Sequence, residues 1–323
     1  MTAAGDSLRI AFRADGDERI GAGHVARCLP LAHAFSLLGH QTMFVGSHEG
    51  LAARLLAEAG LQSVRPDPHA PAGVSLAHSD AAVVDSYEIS TKEICRLASS
   101  LPIATLAEAN LCQEHGVLVD YHLDRLGDSA TERLLPGPTY APVDRRFATH
   151  RQTRETVSRV LVTAGGGSAG EEMLEPATAA ALAVFPHAEI LSTSACGTQG
   201  GRVTALTRAS PLWKVTADVD LAVCAAGMTA YELACAGVPA VLVAIAENQA
   251  RVSRAFEAAG AALTVERPEP GFGERIRACL DKLVEVDRRS KMARRGMELI
   301  DGHGAERAAA ALDARWRQSR WRQ

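Results

Sequence analysis

The sequence predicts an α/β protein made of two successive halves, each built around a parallel sheet. Three observations carry that reading. Short β-rich runs alternate with longer Ala/Leu-rich segments along most of the chain. This rhythm fades between Pro136 and Arg159 and then begins again. The length, 323 residues, suits two domains of ordinary size.

In the first half, Leu8–Arg13 reads as a strand, followed by a Gly-rich turn and a helix from about Val25 to Leu38. Gln41–Val45 reads as a second strand and Leu51–Ala59 as a helix. Ala81–Asp85, Pro102–Leu106 and Val117–Val119 read as further strands of the same sheet. Pro138, Pro142 and a group of arginines then mark a linker. In the second half, Arg159–Thr163 is a strand, Gly165–Gly167 a turn and Glu171–Val184 a helix. Strands at Glu189–Ser192, Leu221–Ala225 and Ala240–Ala244 follow, with helices at Met228–Ala236 and Asn248–Ala259. The expected boundaries are residues 1–142 for the first domain, 143–158 for the linker, and 159–323 for the second domain with its C-terminal helices. Such halves imply a cleft where strand carboxyl ends and helix N-termini meet a ligand.

Composition narrows the function. Apolar residues are 47% and charged residues 22%, enough to bury a core. With 34 Lys+Arg against 38 Asp+Glu the formal charge is −4, which argues against a nucleic-acid binder held by phosphate neutralisation. No apolar run approaches the roughly 20 residues of a membrane-spanning helix, and Met1–Ser7 lacks the apolar stretch of a secretory signal. Seven scattered cysteines, never spaced CxxC, read as free thiols in a reducing cytoplasm. The basic ending, Arg315-Trp316-Arg317 and Arg320-Trp321-Arg322, reads as a solvated final helix with two amphipathic anchors. A monomer is expected, since neither a coiled coil nor a long apolar edge is evident.

The strongest local signal joins the first strand to the first helix: Arg13-Ala14-Asp15, then Ile20-Gly21-Ala22-Gly23-His24-Val25-Ala26-Arg27. Gly21 and Gly23 allow a tight turn and a close backbone approach to ligand, and Arg13, Asp15 and Arg27 are candidate substrate contacts beside them. The two glycines put His24 at or near a helix N-terminus, whose partial positive charge favours a neutral imidazole able to accept a proton. His24 is therefore a candidate general base, with a capping or core histidine as the alternative. A dinucleotide GxGxxG fails, because Arg27 follows where a glycine is needed. Asp85-Ser86-Tyr87 ends a buried strand; Asp85 could orient His24 or take a sugar hydroxyl, and Tyr87 offers a phenol.

In the second half, Cys224-Ala225-Ala226-Gly227-Met228-Thr229-Ala230-Tyr231-Glu232 again runs strand, turn, helix. Free N–H groups at Gly227, Met228 and Thr229 would form a seat for a diphosphate. Glu232, one turn on, offers two acceptors to the vicinal hydroxyls of a ribose. Asn248 and Gln249 follow the next strand and either bond sugar hydroxyls or cap their helix. Asp218-Val219-Asp220 opens an apolar strand at the amino edge of the sheet and reads as structural rather than metal-binding.

Taken together, these motifs resemble the PseG family of UDP-2,4-diacetamido-2,4,6-trideoxy-β-L-altropyranose hydrolases and the related spore-coat SpsG proteins, over nearly the whole chain. The resemblance rests on Arg13-x-Asp15, Ile20-Gly21-x-Gly23-His24-Val25-x-Arg27-Cys28-Leu29 and Leu31-Ala32. It continues through Val83-Val84-Asp85-x-Tyr87, Gly137-x-x-Tyr140-Ala141-Pro142 with Phe147, Ala225-x-Gly227-x-Thr229-x-Tyr231-Glu232, Gly237-Val238-Pro239 and Asn248-Gln249. It implies a GT-B-like fold close to MurG-type glycosyltransferases, a cofactor-free and metal-independent reaction, and displacement of UDP by water at the anomeric carbon with inversion. His24 would then be the base, with Tyr87 and Asn248 lining the catalytic pocket and Gly227, Thr229 and Glu232 holding diphosphate and ribose. Three departures stand out. The family's Gly-Gly-Ser-Asp turn is Gly166-Gly167-Ser168-Ala169, its paired glycines are Ala226-Gly227, and its paired aspartates are Glu108-Ala109. They fit a paralogue acting on another nucleotide sugar. An inverting glycosyltransferase, with the same base acting on an acceptor, is the alternative.

Overall fold

The computed structural model describes residues 7–17, 20–66, 76, 78–106, 116–148, 153–165, 170–193, 201–207, 210–266 and 271–320. The chain divides into two compact units, Met1–Pro142 with His303–Gln323, and Val143–Gly302.

The first unit carries a parallel sheet of seven strands in the order β3-β2-β1-β4-β5-β6-β7. They are β1 (Arg9–Ala14), β2 (Gln41–Val45), β3 (Gln62–Val64), β4 (Ala81–Asp85), β5 (Ile103–Leu106), β6 (Val117–Asp120) and β7 (Leu134–Pro136). Helices α1 (Gly23–Leu37), α2 (Gly50–Glu58) and α3 (Thr91–Ala98) form the crossovers. Strand order reverses between β1 and β4, paired in the register Phe12↔Val83 and Ala14↔Asp85. Their carboxyl ends therefore form the switch point at which open α/β sheets take ligands. Phe12 packs on Phe44 of β2 at 5.2 Å between ring centroids and on Phe35 of α1 at 6.3 Å. This aromatic seam fixes α1 against the sheet. On the other face, Ala11, Val84 and Ile103 pack with Ile94 and Leu97 of α3. A capping box of Ser90 and Glu93 starts that helix.

The second unit repeats the plan with six parallel strands in the order β10-β9-β8-β11-β12-β13. The strands are β8 (Arg159–Thr163), β9 (Glu189–Ser192), β10 (Val203–Ala205), β11 (Leu221–Ala225), β12 (Ala240–Val243) and β13 (Leu263–Val265). Helices are α4 (Leu174–Val184), α5 (Leu212–Thr216), α6 (Met228–Cys235), α7 (Glu247–Ala258), α8 (Phe272–Lys282) and α9 (Val286–Leu299). Its switch point lies between β8 and β11. Asp220, just before β11, accepts from the Ser158 amide (2.8 Å) and hydroxyl (2.8 Å) and the Arg159 amide (2.9 Å). Its carboxylate pins the amino edge of the sheet. Arg289 of α9 is 1% exposed and donates to four carbonyls: Leu283, Val284, Arg154 and Glu155.

Three expectations are corrected. The final helix, α10 (Gly304–Arg320), belongs to the first unit and not to the second. Apolar shape decides this, because Trp316 stacks on Phe35 at 5.3 Å and 7° and is 3% exposed. His40 and Arg317 add bonds to Asp313 at 3.1 and 2.8 Å. Residues 143–148 and 153–158 also do not form a free linker. Phe147 and Val157 are buried within the second unit, where their apolar surface leaves water. Finally, Cys28, Cys224 and Cys235 are buried free thiols and Cys279 a half-buried one, but Cys95 is disulfide-bonded. Spacing in sequence does not report proximity in space. Cys112, Cys196 and Trp321 lie outside the described residues. Among the described residues, no helix is long and apolar enough to cross a membrane.

Candidate functional site

The candidate residues fall into two groups, one in each unit. In the first, β1 ends at Ala14 and the chain turns through Gly21, whose φ of 80° suits a residue without Cβ. The α1 helix begins at Gly23, so His24 is its second residue, 3% exposed. Asp85 is the last residue of β4 and has no exposed surface. Its Oδ1 lies 2.9 Å from His24 Nδ1. Its other oxygen takes Arg27 Nε, and Arg27 Nη2 donates to Oδ1 at 2.9 Å. Burial opposes the charge on Asp85, but Arg27 and then His24 outweigh it and hold the carboxyl down at about 2. Asp85 is thus a permanent acceptor. Arg27 Nη2 also lies 2.8 Å from Nδ1; the tautomer that donates from Nδ1 to Asp85 leaves the Nε2 lone pair open. Nε2 makes no hydrogen bond among the described residues and keeps access to solvent. Tyr87, 52% exposed, stands edge-on to the imidazole at 4.6 Å.

Arg27, read from sequence as a substrate contact, is instead buried against Asp85 and His24, because a buried carboxylate needs a paired cation. Arg13 pairs with Asp15 in the same way. Burial again opposes the Asp15 charge, and Arg13 and the Ser86 hydroxyl (2.6 Å) pull its carboxyl below the usual range. Ser86 and His48 escaped the sequence reading. His48 donates from Nε2 to the Ala14 carbonyl (2.8 Å) and accepts from Ser63 (2.7 Å) at the same sheet edge. The signal for Ser86 was its place directly after Asp85. Cys28 points its thiol at Asp85 (3.8 Å), and burial pushes that thiol well up. Cys28 is therefore packing, not a nucleophile.

In the second unit, β11 delivers Ala226 and Gly227 to the start of α6. Ala226 donates its amide to Val243 (2.9 Å), and Gly227 donates to Ala225 (2.9 Å). The Gly227 N–H is therefore not free for a diphosphate, contrary to the sequence reading, because the strand-to-helix turn consumes it. Met228 and Thr229 lie in the first turn, where amides have no intrahelical acceptor. Gln249 accepts the Ile245 amide at Oε1 (3.2 Å) and lies over Gly227, where an added Cβ would meet its Nε2 at 4.0 Å. Asn248 sits in the first turn of α7; its side chain lies outside the described ones. Gly166, Gly167 and Ser168 lie outside the described residues altogether.

Burial pushes the Glu232 carboxyl up to about 7, Asp144 pushes the same way, and the Thr229 hydroxyl bond only partly opposes them. The unfolded chain ionises near the ordinary glutamate value, so stability falls as pH rises from about 4.5 to 7 and stays reduced above. Glu232→Gln, which cannot ionise, is expected to melt higher than the native chain at pH 8 and nearly alike at pH 4.5. The gain is on the order of 1–2 kcal/mol once partial exposure is discounted. A gain of equal size at both values would show that the carboxyl does not titrate late. Among the described residues, no three His, Cys, Asp or Glu side chains are grouped to hold a metal.

No protein-family profile and no curated protein sequence matches the chain. Solved structures do. The MurG of Acinetobacter baumannii superposes with a TM-score of 0.66 at 18% identity, over 95% of this chain and 99% of that one. The spinosyn rhamnosyltransferase SpnG, complexed with thymidine diphosphate, gives 0.65 at 17% identity over 95% and 99%. Anabaena Alr3699/HepE, in complex with UDP-glucose, gives 0.61 at 12% over 94% and 98%. With a reversing parallel sheet in each unit, the chain has the GT-B-like fold shared by these glycosyltransferases.

Proposed function

We propose that this chain is a nucleotide-sugar hydrolase that releases the free sugar and UDP by inverting attack of water at the anomeric carbon. The observation that carries the reading is the buried His24–Asp85 pair with an open Nε2, Tyr87 standing edge-on beside the ring. As water attacks the anomeric carbon, its proton passes to Nε2. The imidazolium that forms is stabilised by ionised Asp85, while the C–O bond to the diphosphate breaks. A diphosphate needs charge stabilisation more than protonation, so a single base suffices. In the second unit, the Met228 and Thr229 amides at the start of α6 are the proposed holders of a diphosphate, with Glu232 the proposed ribose contact. The resemblance to the PseG and SpsG proteins points the same way. The diphosphate complexes of the structural neighbours support a nucleoside diphosphate leaving group.

The second reading, an inverting glycosyltransferase, draws on neighbours named for transfer, among them SpnG. Incubation with a panel of UDP- and TDP-sugars, followed by product analysis, separates the two. Free sugar formed without acceptor at an undiminished rate supports hydrolysis. Slow leakage that accelerates when an acceptor alcohol or amine is added supports transfer. No turnover of any nucleotide sugar would defeat both.

A further inference from the structure

The His24 constellation recurs in the first unit. In both places an aspartate is the last residue of a strand: Asp85 on β4 and Asp120 on β6. In both, one carboxylate oxygen takes a histidine Nδ1, His24 at 2.9 Å and His122 at 2.7 Å. In both, the other oxygen takes the Nε of an arginine three residues beyond that histidine, Arg27 and Arg125. Asp120 and His122 are 3% and 4% exposed. His122 Nε2 nevertheless has no hydrogen-bond partner among the described residues and keeps access to solvent. Tyr121 stacks on its ring at 5.4 Å and 12°, holding it in place. A buried imidazole with its orientation fixed on both sides and one lone pair presented outward is built to meet a ligand donor. The pair lies at the carboxyl edge of the sheet, the ligand edge. With β5 between them, β4 and β6 are two strand spacings apart, about 10 Å.

We propose that His122 is a specificity-determining residue of the proposed reaction: its Nε2 accepts a hydrogen bond from a hydroxyl or acylamino N–H of the bound sugar. In the tautomer with Nδ1–H committed to Asp120, Nε2 accepts, so it selects for a sugar donor at that position. Asp120 and Arg125 are positioning residues that fix the ring. The inference rests on the nucleotide-sugar reading above, and the test separates the two.

His122→Asn places an amide N–H where Nδ1 stood and removes Nε2; His122→Gln restores a polar atom near Nε2. Affinities of the native chain and both variants for UDP, UDP-glucose and UDP-N-acetylglucosamine are measured by calorimetry, with thermal melts alongside. Asn is expected to cut affinity for the preferred UDP-sugar about 10-fold or more, flatten the preference between the two sugars, and leave UDP binding and the melt unchanged. Gln is expected to recover part of the preference. Should Asn fail to fold, Gln decides alone: a preference between the two sugars reduced from the native one, with UDP affinity unchanged, supports the proposal, and a fully native preference overturns it. Asn binding both sugars as the native chain does, an equal loss for UDP and its sugars, or a native chain that gains nothing from the sugar would each overturn it while leaving the nucleotide reading standing. Failure of the native chain to bind UDP would defeat that reading, and this inference with it.

Discussion

Replacing His24 with alanine is expected to reduce turnover of a nucleotide sugar by about 10²–10⁴-fold, the usual contribution of a positioned base. Affinity for UDP should stay close to that of the native chain. The variant should also fold. Removing the imidazole still leaves Asp85 with two bonds from Arg27 and the Cys28 thiol, so no buried charge is orphaned. Asp85→Asn is a different matter, because it removes the buried carboxylate charge that Arg27 and His24 are packed against, a change costing about 3–5 kcal/mol. The alanine variant therefore isolates proton acceptance from architecture. Single-turnover rates and UDP calorimetry on the same preparation check it. Native-like turnover by His24→Ala would remove the imidazole from the reaction.

Arg289→Met should destabilise the second unit by about 3–5 kcal/mol. Met is close in volume and apolar, so packing changes little. What is lost is four bonds of 2.7–2.8 Å to the carbonyls of Leu283, Val284, Arg154 and Glu155. Those carbonyls come from the α8–α9 connection and from the entry to β8, so one guanidinium ties together segments more than a hundred residues apart in sequence. For a unit of this size the loss corresponds to a fall of about 2–4 °C per kcal/mol. Calorimetry should show the transition of residues 143–302 moving down. Arg289→Lys keeps the charge but presents a single ammonium where a planar fork reaches both pairs, and should recover only part of the loss. A Met variant melting within a degree of the native chain would show that the clamp is dispensable.

Central strands were legible from sequence, and edges were not. Leu8–Arg13, Ala81–Asp85, Arg159–Thr163 and Leu221–Ala225 are apolar runs flanked by turns, and each lies within a residue of an observed inner strand. The four strands with no sequence signal, Gln62–Val64, Leu134–Pro136, Val203–Ala205 and Leu263–Val265, are the outermost strands of the two sheets. Three residues are too few for a period, and an edge strand needs one neighbour and little apolar surface. The short helix Thr91–Ala98 was missed although its Ser90…Glu93 capping box stood in the sequence.

Around His24 the motif put the imidazole beside Asp85, since both follow from strand ends and a glycine turn. It misjudged Arg27, because only the fold shows that the carboxylate beside it is sealed from water. It also misjudged the Gly227 amide, because the turn that uses it depends on the Ala225 carbonyl geometry. His122 could have been found. His24-x-x-Arg27 and His122-x-x-Arg125 share one spacing, and Val117-Leu118-Val119-Asp120 ends in an acid as Val83-Val84-Asp85 does.

The return of α10 to α1 has a consequence for biogenesis. Residues 143–302 form a contiguous stretch and can complete their sheet as soon as they leave the ribosome. The earlier-made residues 1–142 must wait for the last helix, because the Phe35 face stays uncovered until Trp316 arrives. The portion synthesised first is thus the one finished last. During that interval an aromatic surface is available to chaperones or to aggregation. A released chain truncated after residue 302 would therefore hold a protease-resistant unit of residues 143–302 beside a protease-sensitive one of residues 1–142, an inversion of the usual vectorial order.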